Sequence, residues 1–262
     1  MRVDAHVHVF PERLALAVRN ALQRDGRLTA SPLLPDVAAS VLAAGFDRAW
    51  ALPYAHRAGI AESLNEWSAQ EVARYPQLVA GATFHPDDEH LAKLAERALD
   101  ELGLRVVKLH CAVGNFSPAD PRLAPLWETA SALGAPVVTH AGRRSPGETA
   151  GDEIDELRTV LRAHPRLRLV LAHSGLPNFE VTIRLMREFE NLYADLTPVM
   201  DRRIEVGTEA LTEFAGRFLF GSDAPNHPDG ARKLADEAEA LDLPPAAFAE
   251  AIGGAANRLV PA

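Results

Sequence analysis

The sequence predicts an α/β fold, a single (β/α)8 TIM barrel over residues 1–262, and three observations carry that expectation. Eight short apolar runs rich in Val, Leu and Ala alternate with longer amphipathic stretches, the repetition of a parallel sheet whose strands are each followed by a helix. Several runs, VVKL, PVVT and LRLVLA among them, are apolar almost throughout, as strands covered on both faces are. The units recur about every 31 residues, close to ~250 residues divided among eight units.

The strands are expected at residues 2–9, 46–52, 78–85, 104–110, 136–140, 167–173, 191–196 and 218–223. Amphipathic segments follow them, at 61–75, 89–102, 124–133, 152–163 and 181–189. Gly45, Pro76, Gly103, Gly134, Pro165 and Gly216 punctuate the joints. The first strand begins at residue 2, which leaves little room for an accessory domain. A doubly wound open sheet competes with the barrel. Eight units and the lack of a Gly-rich phosphate loop count against it.

Composition narrows the function classes. The formal net charge of −9, from 27 basic and 36 acidic residues, argues against a binder of nucleic-acid backbone. No run approaches the roughly 18 apolar residues of a membrane helix. The opening MRVDAHVH has no apolar core of a secretory signal. One cysteine makes no internal disulfide, in keeping with a cytoplasmic location, and a homo-oligomer stays open. Ten histidines beside that one cysteine point to an N/O metal site instead of a thiolate one.

Barrel enzymes place their chemistry at the C-terminal ends of the strands. Six of the ten histidines fall at the expected strand ends: His6, His8, His85, His110, His140 and His173. Alternate residues of a strand share a face, so His6 and His8 of Asp4-Ala5-His6-Val7-His8 can both look into the barrel. His140 and His173 end apolar strands, and Asp223 ends the eighth. Taken singly, each histidine reads as a hydrogen-bonded core or rim residue, and Asp223 as a helix N-cap; together they suit a divalent metal, most readily zinc, with manganese, iron or nickel also compatible. Lys108, inside Val106-Val107-Lys108-Leu109-His110, either turns outward between helices or faces inward, where it must be paired, deprotonated or modified. Arg143 and Arg144 follow His140 and are candidates to bind a carboxylated substrate, with His110 and His85 as further pocket residues. Cys111 reads as a buried structural thiol.

Together these residues resemble the amidohydrolase superfamily of metal-dependent barrel enzymes. The matches run in order through His6 and His8, Lys108, His140, His173 and Asp223, and extend from Asp4–Pro11 to Arg258-Leu259. The opening HVHVFP and the HP after the third strand are most similar to the amidohydrolase 2 branch, which mixes hydrolases, lactonases and non-oxidative decarboxylases. The resemblance implies that His6, His8 and Asp223 hold the more buried metal. His140 would join either that ion or a second one. In two-metal members a carboxylated lysine, here Lys108, bridges the ions and His173 binds the second; in one-metal members the equivalent of His173 is an acid/base group. The run Gly253-Gly254-Ala255-Ala256-Asn257-Arg258-Leu259 displaces the asparagine that members often place directly after the glycines. On this resemblance the expected activity is metal-dependent hydrolysis of an amide, lactone or ester bond in a small-molecule substrate, with Asp223 and His173 as catalytic groups. The alternative is a non-oxidative decarboxylase, and a non-catalytic metal-binding barrel is the third reading.

Overall fold

The structure, a computed structural model, describes residues 1–23, 28–141, 150–198, 204–227 and 229–262. Eight parallel strands follow one another in a single sheet: β1 Val3–Val7, β2 Arg48–Ala51, β3 Leu78–Thr83, β4 Val106–His110, β5 Val137–His140, β6 Leu169–Leu171, β7 Leu192–Asp195 and β8 Phe218–Leu219. The chain beyond β8 returns to β1 through Ala5 N–H to Phe220 O (2.8 Å), Asp223 N–H to His6 O (2.9 Å) and His8 N–H to Ala224 O (2.7 Å). The expected (β/α)8 barrel is therefore the fold.

Among the described residues twelve α-helices interleave with the strands: α1 Glu12–Leu22, α2 Leu34–Ala43, α3 Ala61–Glu71, α4 Leu91–Glu96, α5 Cys111–Gly114, α6 Ala124–Leu133, α7 Ala150–Ala163, α8 Phe179–Glu188, α9 Thr208–Glu213, α10 Gly230–Glu239, α11 Pro245–Ala249 and α12 Ala255–Leu259. The two-residue period of each strand sorts its side chains. Trp50, Val79, Val106, Val138, Val170 and Leu219 pack together inside the barrel. Alternate residues such as Val107, Leu109, Val137, Leu169 and Leu171 pack outward against the helices. Each such fully buried Val or Leu contributes roughly 1.5–3 kcal/mol. α12 lays Ala255, Ala256, Leu259 and Val260 on the inner cluster, and Arg48 and Arg168 donate to Val260 O and Leu259 O (both 3.3 Å), which fixes this helix at the N-terminal ends of the strands. The displaced Asn257 has its own task there, donating to Met1 O at 3.0 Å. The opposite end is left to the site.

The expected strands run past the observed ones at that end. His8, His85, His173 and Asp223 all lie beyond the last residue of their strands. His173 and Asp223 adopt φ of +54° and +56°, a left-handed geometry no strand continues through. In β1 the departure is a bulge: Asp4 pairs with Ala49 and Val7 with Ala51, so three steps of β1 oppose two of β2. Bulges re-aim side chains, and this one falls directly on Ala5 and His6.

Candidate functional site

β1 supplies the first two imidazoles, and their outer nitrogens are already committed. His8 Nδ1 lies 2.9 Å from Leu52 O, an acceptor only, so Nδ1 carries the hydrogen. His6 Nδ1 lies 2.9 Å from Asp195 Oδ2, a fully buried carboxylate at the end of β7. Burial raises the Asp195 pKa, but the neighbouring His6 outweighs it and holds the carboxyl below its usual range. His6 therefore donates to an ionised acceptor. Its own pKa falls to about 3, chiefly through burial and then through the charge of Lys108, so the ring is neutral.

Both rings then turn Nε2 inward, 3.2 Å apart, and His8 Nε2 stands 3.1 Å from Asp223 Oδ1. One ligand atom from each of His6, His8 and Asp223 lies within 4.8 Å of the others. An imidazole lone pair, a second imidazole and an ionised carboxylate converging in a buried space are mutually repulsive until a cation joins them. That donor chemistry fits a divalent ion. Burial raises the Asp223 pKa, but the surrounding histidines outweigh it and hold the carboxyl below its usual range. Its loop is pinned by Asp223 N–H to His6 O and by Asn226 N–H to Asp223 O at 2.6 Å, and the next helix, α10, starts only at Gly230 with Asp229 before it, so Asp223 is not its N-cap. Below it, Asp4 Oδ1 accepts from Ser222 N (3.0 Å) and His6 N (3.2 Å), and burial lifts the Asp4 pKa to about 7. Gly221 lets this loop lie on the site, since a Cβ there would fall 2.1 Å from Thr197 Oγ1 and 2.7 Å from His6 Cβ.

Lys108 faces inward, fully buried, with Nζ 3.0 Å from His6 Nε2. Burial lowers its pKa to about 8, against the opposing pull of Asp195 and Asp223. His173, on a tight turn after β6, offers Nδ1 to Thr197 O at 3.2 Å and sets its ring 5.0 Å from that of His6. His140 and His110 end adjacent strands in direct register, so their rings stack at 4.1 Å and 13°. His140 also meets His173 edge-on at 4.7 Å. Burial, and then neighbouring positive charge, lowers the pKa of both His110 and His140. Tyr54 stands edge-on to His110 (4.8 Å), His8 (5.2 Å) and Phe10 (4.8 Å). Burial and the charge of Asp223 raise its phenol pKa. A continuous wall of rings thus surrounds the three-donor cluster.

The structure brings His6, His8, Lys108, His110, His140, His173 and Asp223 to one end of the barrel. His85 is not free to join them. Its Nε2 donates to Gly114 O (3.0 Å) and its Nδ1 accepts from Asp87 N (3.2 Å), so neither nitrogen is left for a substrate. It holds α5 against the β3 loop. Arg143 and Arg144 lie outside the described residues. Cys111 begins α5 and packs into the outer cluster with Phe84, Leu109 and Phe116. Sequence reasoning missed Asp195, Thr197 and Tyr54. A carboxylate at the end of an apolar run, Ala194-Asp195, carries the same signal as Asp223, but a search led by histidines passes over it.

The family model described as Amidohydrolase matches residues 3–262. No curated protein matches the chain. Among solved structures, a TIM-barrel protein from Bordetella bronchiseptica is 21% identical with a TM-score of 0.77, the match covering 98% of this chain and 97% of that one. A 5-carboxyvanillate decarboxylase from Sphingomonas paucimobilis is 18% identical with a TM-score of 0.72, covering 98% of each chain. A dihydroxybenzoic acid decarboxylase from Polaromonas sp. JS666, solved with manganese and the inhibitor 2-nitroresorcinol, is 18% identical with a TM-score of 0.75, covering 98% of this chain and 96% of that one. At such identities the likeness is one of fold. Among the described residues no helix is long and apolar enough to cross a membrane.

Proposed function

The chain belongs to the amidohydrolase family, and from that premise we propose that it is a metal-dependent enzyme whose best-supported reaction is non-oxidative decarboxylation of a small aromatic acid. The observation that carries this reading is the wall of ring faces formed by Tyr54, His110, His140 and His173 beside the three-donor cluster. A planar aryl acid matches that wall in shape and in the preference of aromatic rings for stacked or edge-on neighbours. Two of the solved barrels of like fold act on such acids, which supports the same choice over the hydrolysis expected from the sequence.

His6, His8 and Asp223 would hold the ion, with His140 or His173 adjoining it. The solved decarboxylase with manganese makes manganese the first metal to try, ahead of the zinc expected from the sequence. When bound, such an ion supplies positive charge that anchors the substrate's oxygens and neutralises charge developing on them. The remaining work falls to the chain. In decarboxylation the bond between ring carbon and carboxylate breaks, the electron pair stays on the ring carbon, CO2 leaves, and a proton must arrive at that carbon. His173 would carry it: with Nδ1–H held by Thr197 O, Nε2 takes the proton that the substrate's own acid group gives up on binding and returns it to the ring carbon as CO2 leaves. Its pKa is lowered, mainly by burial, so the protonated ring is a strong donor.

Lys108 favours a second reading. Its amine lies 3.0 Å from His6 Nε2, where hydrolases of this superfamily carry a carboxylated lysine between two ions. In that case Asp223 takes the proton of the attacking water and passes it to the leaving group. The two readings separate in one experiment on manganese-loaded protein. We expect CO2 release from 2,6-dihydroxybenzoate or 5-carboxyvanillate, one ion per chain, and a native mass of the folded protein without added CO2. Hydrolysis of aryl lactones or esters without CO2 release, two ions per chain and a native mass heavier by one CO2 that Lys108→Met abolishes would instead establish the hydrolase.

A further inference from the structure

Asp195 lies outside the three-donor cluster, yet two candidate functional histidines, His6 of β1 and His173 after β6, depend on it. It ends β7 and is fully buried. Oδ2 faces His6 Nδ1 at 2.9 Å, while Oδ1 accepts from two backbone donors, His173 N (2.8 Å) and Thr197 N (3.1 Å). We propose that Asp195 is a positioning residue that keeps the proton of His6 on Nδ1, leaving Nε2 bare toward the cluster, and that anchors the turn presenting His173. This rests on the metal-dependent reading for its consequence but not for its first test.

A neutral imidazole has one N–H, and the partner of one nitrogen decides what the other can do. An ionised carboxylate only accepts, so it draws the hydrogen to Nδ1. Nε2 is then an acceptor facing His8 Nε2 and the Lys108 amine, at 3.2 and 3.0 Å. With the opposite tautomer the same nitrogen would aim an N–H at the point where a cation needs a lone pair. The other oxygen acts on the backbone. His173 and Ser174 hold φ of +54° and +49°, a conformation that residues with a Cβ seldom adopt without outside support. That support comes from Asp195 twice, through His173 N–H to the carboxylate and Ser174 Oγ–H to the Asp195 carbonyl at 2.6 Å. Thr182 Oγ1 then closes the turn on Ser174 O at 2.8 Å.

Asp195→Asn tests this in the full chain, because the two backbone donors cannot turn away and so dictate which way the amide sits. Its oxygen must face His173 N and Thr197 N. Its NH2 then faces His6 Nδ1, and Thr197 Oγ1, 3.2 Å from the same nitrogen, can turn its hydrogen to it as well, so Nδ1 gives up its own hydrogen and accepts. Ring nitrogen NMR of the metal-free protein reads the outcome directly: His6 protonated on Nδ1 in the wild type and on Nε2 in the variant. Wild-type protein with the hydrogen already on Nε2, or a variant that keeps it on Nδ1, overturns the proposal. The wild-type spectrum alone suffices for the first of these should the variant fold poorly. Manganese titration then reads the consequence, an affinity about 10–100-fold weaker in the variant; an affinity within twofold of wild type also overturns it. Wild-type protein that shows the Nδ1 tautomer but takes up no manganese, cobalt or zinc counts against the proposed function alone and leaves the placement of the proton established.

Discussion

Replacing Gly221 by alanine tests how tightly the β8 loop is seated on the site. The added Cβ would fall 2.1 Å from Thr197 Oγ1 and 2.7 Å from His6 Cβ, where carbon atoms need more than 3 Å. Neither neighbour can yield cheaply: His6 is fully buried and Thr197 is 1% exposed. Thr197 also gives its backbone N–H to Asp195 and its carbonyl to His173. Relief has to come from moving the loop that carries Asp223 or the strand that carries His6. Overpacking of this kind costs about 1–3 kcal/mol. With an unfolding entropy of about 2.1 cal/mol/K per residue, a chain of this length loses roughly 2 °C of Tm per kcal/mol, so a fall of about 2–6 °C is expected. The functional effect should exceed the thermal one, since displacing a positioned group by about 1 Å can cost on the order of 100-fold in rate. Gly207→Ala is the control: its backbone is extended and nothing lies within 4 Å of the added carbon, so its stability should change by less than about 1 kcal/mol. Thermal melts and manganese titration of both variants are the assay. A Gly221→Ala protein with the melting temperature, metal affinity and turnover of its Gly207→Ala counterpart would refute the reasoning.

Other consequences follow from the same geometry. Asp223→Asn removes one charged donor of the cluster while keeping its shape, so turnover should be lost and metal affinity fall at least about tenfold, as read by metal titration. The Lys108 pKa, lowered to about 8 in the folded chain, sets a pH dependence for the metal-free protein. Between pH ~8 and ~10.4 the unfolded chain binds more protons at this group, so its contribution makes stability rise with pH through that window. Denaturant titrations should show the rise in wild type and lose it in Lys108→Met. His85→Ala orphans Asp87 N–H and Gly114 O and should cost about 1–3 kcal/mol in stability. Manganese affinity within threefold of wild type is expected for that variant, and a larger loss would place His85 in the site after all.

Much of this was open to a reading of residues alone, because the periodicity of a barrel strand is local. Short apolar runs and regular breakers locate eight strands without any knowledge of how they pair, and the C-terminal rule then gathers His6, His8, His110, His140, His173 and Asp223 at one end. Lys108 stood out for the same reason, as a cation in an apolar run. Strand lengths were overestimated because apolar character continues past the point where backbone pairing stops, and the bulge in β1 leaves no mark in composition. His85 shows the limit most directly. Its position at an expected strand end is equivalent to that of His110, but Gly114 O and Asp87 N–H take up its two ring nitrogens.

What the sequence determined by itself was the class of fold and the types of group at its working end, since both follow from short-range patterns that each strand carries separately. Tertiary structure alone decided which nitrogen of each imidazole is available. That choice depends on Leu52 O for His8, on Asp195 for His6 and on Thr197 O for His173, partners separated by 44, 189 and 24 residues along the chain. The physical reason is that a tautomer is selected by a hydrogen bond across a buried space, and no property of a histidine's own neighbours in sequence encodes what the fold will set opposite it.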